Sequence, residues 1–100
     1  MKSRMTPSVV KGAKDTWYFY LARCSDNSFY SGITNNIIKR EVLHNSGKAA
    51  EYTRIRRPVK IIIAEKYPNK STARKRKIQI KKWSRIKKES IIRLYPECKI

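Results

Sequence analysis

The sequence predicts one α+β domain, in which helices flank a small three-stranded antiparallel sheet in the order β-β-α-β-α-α. A length of 100 residues suits one domain, and a hydrophobic content of 40% suits one modest core. Segments rich in aromatic or β-branched residues predict the strands, and amphipathic segments predict the helices. We expect a basic flexible arm over residues 1–14, the domain over residues 15–95 and a tail over residues 96–100.

Three segments predict the sheet. Residues 17–22 form a continuous aromatic and apolar run, typical of a strand buried on both faces. Turn-forming residues 25–28 follow, and residues 29–33 resume the strand pattern, so the two segments predict a hairpin. Residues 59–65 are rich in β-branched side chains and predict a third strand at the centre of the sheet.

Polar residues ahead of apolar, helix-periodic segments predict where the helices begin. Residues 49–56 predict only a short helical or turn-rich connection. The predicted caps are Thr34 or Asn35 for the first helix, Ser71 for a helix that ends at Trp83, and Ser84 for a last helix through Leu94.

The charge balance predicts a polyanionic partner. Lys and Arg number 25 and Asp and Glu seven, which gives a net charge of +18. Phosphate contacts dominate nucleic-acid affinity, so we expect DNA, branched or single-stranded forms included, with RNA and a partner protein subunit left open. Codon drift in an AT-rich genome would produce a similar composition, and a ribosome or an anionic membrane surface would also attract such a chain.

Cellular context follows from what the sequence lacks. Cys24 and Cys98 are too few for a disulfide framework, so we expect free thiols in a reducing cytoplasm. No apolar run approaches the roughly 20 residues that span a bilayer.

Three glycines provide no phosphate-cradling loop, and the acidic residues form no recognisable pair. Phosphate chemistry would therefore depend on Tyr, Arg, His and at most one metal ion.

Four residues suit such chemistry. Antiparallel pairing of the hairpin brings Tyr20 near Tyr30, and Arg40 and His44 lie four apart on one face of the first helix. An arginine fork matches phosphate oxygens, and a phenol or imidazole exchanges protons with water. The structural alternative is that the tyrosines are core aromatics and that Arg40 is solvated.

These residues and their spacing resemble the GIY-YIG nuclease superfamily, over residues 17–92. The similarity is to small single-domain bacterial members related to the catalytic domain of structure-specific endonuclease subunits. The motifs that carry it are Tyr18-Phe19-Tyr20, Tyr30-Ser31-Gly32, Arg40 and His44. The resemblance implies that Tyr20 positions or deprotonates water, Tyr30 orients the phosphate, Arg40 stabilises charge on it, His44 assists proton transfer and Gly32 admits close backbone approach.

One position departs from that family. Its members carry a glutamate on the helix after the third strand as the ligand of a single Mg²⁺, and Lys77 occupies that position here. Helical spacing places Lys77 on a stripe with Ala73 and Ile80, so we expect it to point inward, with snorkelling at the edge of the stripe as the alternative. Glu65 is a candidate substitute ligand. The resemblance thus implies Mg²⁺ or Mn²⁺ in an active protein and no metal in a degenerate one.

Clusters of basic residues predict a surface that follows a nucleic-acid backbone, although each cluster alone is typical of a solvated face. Two functions remain open, an endonuclease and a non-catalytic nucleic-acid-binding module on the same scaffold. The residues predicted to bind phosphate are Gly32, Lys48, Arg54, Arg56, Arg57, Arg74, Lys77 and Lys81.

Overall fold

The computed structural model describes residues 16–94, so the predicted arm, the tail and Cys98 lie outside the described residues. The α+β fold class and the order of the elements confirm the prediction, with the short connection forming a helix of its own. The elements are β1 (Trp17–Arg23), β2 (Phe29–Thr34), α1 (Ile37–Asn45), α2 (Glu51–Arg54), β3 (Lys60–Tyr67), α3 (Lys70–Lys81) and α4 (Arg85–Leu94).

The sheet has the strand order β2-β1-β3, and both pairings are antiparallel. The prediction that the third strand is central was therefore wrong, because β1 is the central strand and β3 lies at an edge. The β-branched side chains of β3 reflect burial of Ile61 and Ile63 against the helices rather than a neighbour on each side. Such burial is the same for an edge strand and a central strand when helices cover both faces.

Helix α1 covers part of the exposed edge of β3. The Asn45 side chain accepts a hydrogen bond from the Val59 N–H at 2.7 Å and donates to the Val59 carbonyl at 2.8 Å. One turn earlier, Glu41 accepts from the Ile61 N–H at 2.7 Å. These side chains satisfy backbone groups that an edge strand otherwise presents to other chains.

The two faces of β1 enter two separate cores, as predicted for a strand buried on both sides. Tyr18, Tyr20 and Ala22 pack with Ile37 of α1. Alternate residues point the other way, and they pack with residues of α3 and α4. The members of this second core on the strands and helices are Phe19, Leu21, Ile63, Ile80 and Ile91. Tyr20 therefore lies on the face of the sheet that α1 covers.

Two of the three predicted helix caps were wrong. The side chains of Asn36 and Asn69 accept the hydrogen bond from the backbone N–H three residues later, at 3.0 and 2.9 Å. Among adjacent polar residues, only the one with extended backbone in the folded chain caps the helix, and sequence does not select it. The Ser84 cap of α4 is confirmed, while α3 ends at Lys81 instead of Trp83.

Within residues 16–94, no helix has the length and apolar character needed to cross a bilayer. Cys24 in the same region is a buried free thiol.

Candidate active site

The β1–β2 hairpin brings the two predicted tyrosines together. Tyr20 lies opposite Gly32, and Tyr30 lies opposite Ala22, so the tyrosines are diagonal neighbours on one face of the sheet. Their ring centroids are 6.4 Å apart. Antiparallel register alone thus accounts for this part of the site.

Gly32 makes room for the Tyr20 ring. A Cβ atom at Gly32 would lie 2.5 Å from the phenolic oxygen of Tyr20 and 2.6 Å from Cζ. The rigid aromatic ring cannot move aside within a packed core, so the side chain of any other residue at position 32 would clash with Tyr20. The space beside Gly32 is therefore filled by the Tyr20 side chain.

His44 links Tyr20 to a threonine of α2. Its Nε2 lies 2.7 Å from the Tyr20 hydroxyl oxygen, and its Nδ1 lies 2.8 Å from Oγ1 of Thr53. The three side chains are buried, with exposures of 1%, 1% and 0%. Thr53 was absent from the predicted site residues. No spacing in the sequence indicates a contact between Thr53 and His44.

A stack of side chains extends outward from this cluster. The Tyr30 ring meets His44 edge-on at 5.2 Å and stacks on Tyr52 at 6.1 Å. The Arg56 guanidinium lies 3.9 Å from the centre of the Tyr52 ring, and it forms a 3.0 Å ion pair with Asp26 in the hairpin turn. Arg56, predicted to bind phosphate, is thus already paired, and neither Tyr52 nor Asp26 was among the predicted site residues.

Arg40 is the charged member of the site. It lines a cavity of about 190 Å³ with residues of the β2–α1 connection, including Asn35 and Asn36. Its Nε is buried, and no residue in the range 16–94 forms a hydrogen bond with that nitrogen. Buried polar groups in proteins are normally paired, so this guanidinium is suited to an anionic ligand.

Burial controls the protonation of the cluster. Burial raises the pKa of Tyr20 well above its ordinary value, the neighbouring Tyr30 adds to the increase, and the charge of Arg40 opposes it. Burial and, second, the charge of Arg40 lower the pKa of His44 from 6.5 to about 4. Both side chains are therefore neutral at pH 7.

The His44 pKa predicts a loss of stability in acid. Between pH 6.5 and pH 4 the unfolded chain binds a proton at His44 and the folded chain does not, so the free energy of unfolding falls as the pH falls through this window. The expected contribution is about 3 kcal/mol over the whole window. Chemical denaturation at several pH values measures it, with His44→Gln as the control. If the free energy of unfolding changed equally with pH in both proteins, the prediction would be contradicted.

The two residues considered for metal binding are Glu65 on β3 and Lys77 on α3. Glu65 lies opposite Phe19, on the sheet face that α3 covers, and accepts hydrogen bonds from Arg76 at 2.9 and 3.2 Å and from Tyr67 at 2.7 Å. Lys77 is half-buried on α3, with no hydrogen bond or ion pair to any residue in the range 16–94. Within that same range, no group of three or more His, Cys, Asp or Glu side chains could hold a metal ion.

The other predicted phosphate-binding residues fall into two groups. Lys48 and Arg54 border one shallow cleft near α2, and Arg54 and Arg57 line a neighbouring groove of about 800 Å³. Arg74 and Lys81 are exposed on α3, which packs on the other face of the sheet. The predicted phosphate-binding residues are therefore divided between the helices on the two faces of the sheet.

Comparisons with known proteins agree with this architecture. Residues 16–90 match the model of the GIY-YIG catalytic domain. The chain is 47% identical over 75 residues to the UPF0213 protein YazA of Bacillus subtilis, covering 75% of this chain and 76% of that protein. It is 45% identical over 78 residues to a UPF0213 protein of Staphylococcus saprophyticus, covering 78% and 95%. The solution structure of a UPF0213 protein of Bacillus halodurans is similar with a TM-score of 0.52 and 37% identity, covering 79% and 84%.

Proposed function

Because this chain belongs to the GIY-YIG family, we propose that it binds DNA through phosphate contacts and has a site for phosphodiester hydrolysis, weakened by Lys77. The observation that carries the proposal is the hydrogen bond between Tyr20 and a neutral His44, beside an arginine whose Nε has no protein partner in the described part of the chain. A proton acceptor and an anion-binding group thus occupy neighbouring places in one cluster.

The proposed reaction uses the side chains in sequence. A water oxygen attacks phosphorus while the water proton passes to the Tyr20 oxygen and the phenolic proton passes to Nε2 of His44. The bond from phosphorus to the leaving sugar oxygen breaks, and that oxygen takes a proton from solvent. Arg40 pairs with the phosphoryl oxygens as charge builds on them, and Tyr30, the more exposed tyrosine, orients the phosphate. His44 then returns its proton to solvent.

The residues present do not fit the divalent metal that the family implies. Hard cations require anionic or neutral oxygen ligands, whereas Lys77 presents an ammonium at the expected ligand position. Glu65 is occupied by the Arg76 guanidinium on the other face of the sheet. The proposed reaction therefore uses only water and the side chains of this protein.

The second candidate is a non-catalytic nucleic-acid-binding module on the same scaffold. The cation at position 77 and the Glu65–Arg76 pair favour it. A cleavage assay on branched and single-stranded DNA, with and without Mg²⁺ or Mn²⁺, separates the two functions. Products that disappear in Arg40→Ala support the hydrolytic site. No product at any protein concentration, with or without metal, supports the module.

Binding should depend steeply on salt and hardly on base sequence. The net charge of +18 supports phosphate contacts, which release counterions and carry no base information. Titrating one duplex and its shuffled counterpart over a range of salt concentrations measures both properties. A flat salt response, or a strong preference for either duplex, would contradict the binding proposal.

A further inference from the structure

We propose that Thr53 is a positioning residue that holds His44 in one tautomer, with the proton on Nδ1 and with Nε2 free to accept from Tyr20. The inference rests on the proposed function and extends it to a residue of α2. Thr53 is fully buried and would touch neither the nucleic acid nor the attacking water. Its effect would pass through the histidine ring.

The hydrogen-bond chain has a direction because its last member can only accept. Thr53 Oγ1 lies 3.2 Å from the carbonyl oxygen of Ala50 and 2.8 Å from Nδ1 of His44. A carbonyl has no proton to donate, so the threonine hydroxyl donates to Ala50 and its oxygen accepts from His44. The Nδ1 of His44 then carries the proton, and Nε2 accepts from the Tyr20 hydroxyl at 2.7 Å.

The opposite tautomer leaves a buried group unpaired. With the proton on Nε2, His44 would donate to the Tyr20 oxygen, and Thr53 would donate to Nδ1. The Tyr20 hydroxyl proton would then have no acceptor among residues 16–94, although Tyr20 is 1% exposed. An unsatisfied buried donor costs about 1–3 kcal/mol, so the first arrangement, which uses all three protons, is favoured.

Surrounding groups restrict the ring but do not select the tautomer. Tyr30 meets the His44 ring edge-on, and the charge of Arg40 opposes protonation of the ring. Neither provides a hydrogen-bond acceptor for Nδ1. Thr53 is the described partner of that nitrogen, and its hydrogen bond to the Ala50 carbonyl gives the two ring nitrogens different roles.

The chain contains one histidine, so its tautomer can be observed directly in the full-length protein. Long-range ¹H–¹⁵N correlation spectra at pH 7 should show a protonated Nδ1 and an unprotonated Nε2. Thr53→Ser should preserve this pattern, while Thr53→Val, which keeps the shape and removes the hydroxyl, should lose it. Ser46→Ala removes a nearby exposed hydroxyl that bonds the Leu43 carbonyl and should change nothing.

The wild-type spectrum tests the tautomer even where Thr53→Val fails to fold. A protonated Nε2 in the wild type, or an unchanged pattern in folded Thr53→Val, would overturn the inference. Cleavage kinetics then test the proposed function separately. When Thr53→Val is made in a form of the protein that cleaves DNA, it should lower kcat and leave DNA affinity unchanged. Thr53→Ser should keep the kcat of the parent protein. A changed tautomer with unchanged kcat would support the role of Thr53 in holding the ring and contradict the role of His44 in hydrolysis.

Discussion

The Lys77→Glu variant is expected to cut DNA when Mg²⁺ is added, whereas the unmodified protein shows weak or no Mg²⁺-dependent cleavage. An ammonium at this position repels a divalent cation, and a carboxylate provides the oxygen ligand that Mg²⁺ requires beside substrate phosphate. We expect an increase in the metal-dependent rate on the order of 10²–10³, the usual effect of one preorganised charge stabiliser. Initial rates over a Mg²⁺ titration measure it. DNA binding in metal-free buffer should weaken at the same time, because one cation is lost and one anion is added.

Lys77→Met separates the creation of a metal ligand from the loss of positive charge. It removes the cation without supplying an oxygen ligand, so it should weaken DNA binding without enabling metal-dependent cutting. Robust Mg²⁺-stimulated cleavage by the unmodified protein would overturn the account of Lys77. Glu65 would then be the candidate metal ligand, and it would have to break its ion pair with Arg76.

Tyr20→Phe and Arg40→Ala should each lower the cleavage rate by roughly 10²–10³ and leave the fold intact. The first removes the hydroxyl bonded to His44, and the second removes the guanidinium beside the cluster. Rates are best compared in the Lys77→Glu background, where a large loss is measurable. Circular dichroism and thermal unfolding establish that each variant is folded.

Matched variants make the comparison specific. Tyr52→Phe removes a hydroxyl that forms no hydrogen bond within the described residues and keeps the stack on Tyr30, so its rate should be unchanged. Lys39→Ala removes an exposed cation next to Arg40 and should change binding more than rate. Folded Tyr20→Phe and Arg40→Ala proteins that cut as fast as their parent would place the active site elsewhere.

The fold class, the hairpin and the proximity of Tyr20 to Tyr30 could be predicted from the sequence. These features depend on local patterns, because strand and helix periodicity identify the buried faces and a short turn enforces antiparallel pairing. The family resemblance likewise depends on motif spacing along the chain, and the match over residues 16–90 confirmed it.

The central strand of the sheet and the residues that complete the cluster became known only from the folded structure. The residue pattern of a strand shows which of its side chains are buried, but it does not show whether other strands pair with it on one side or on both. The position of β3 at the edge of the sheet could therefore not be predicted from its residues. The hydrogen bond between His44 and Thr53 joins α1 to α2, and the segment between these helices has no periodic pattern that would indicate it. The ion pair between Glu65 and Arg76 likewise joins β3 to α3. The low pKa of His44 follows from burial by elements distant in sequence. Such contacts arise only when the chain has folded, because a local pattern specifies which side chains face inward and not which donors and acceptors they meet there.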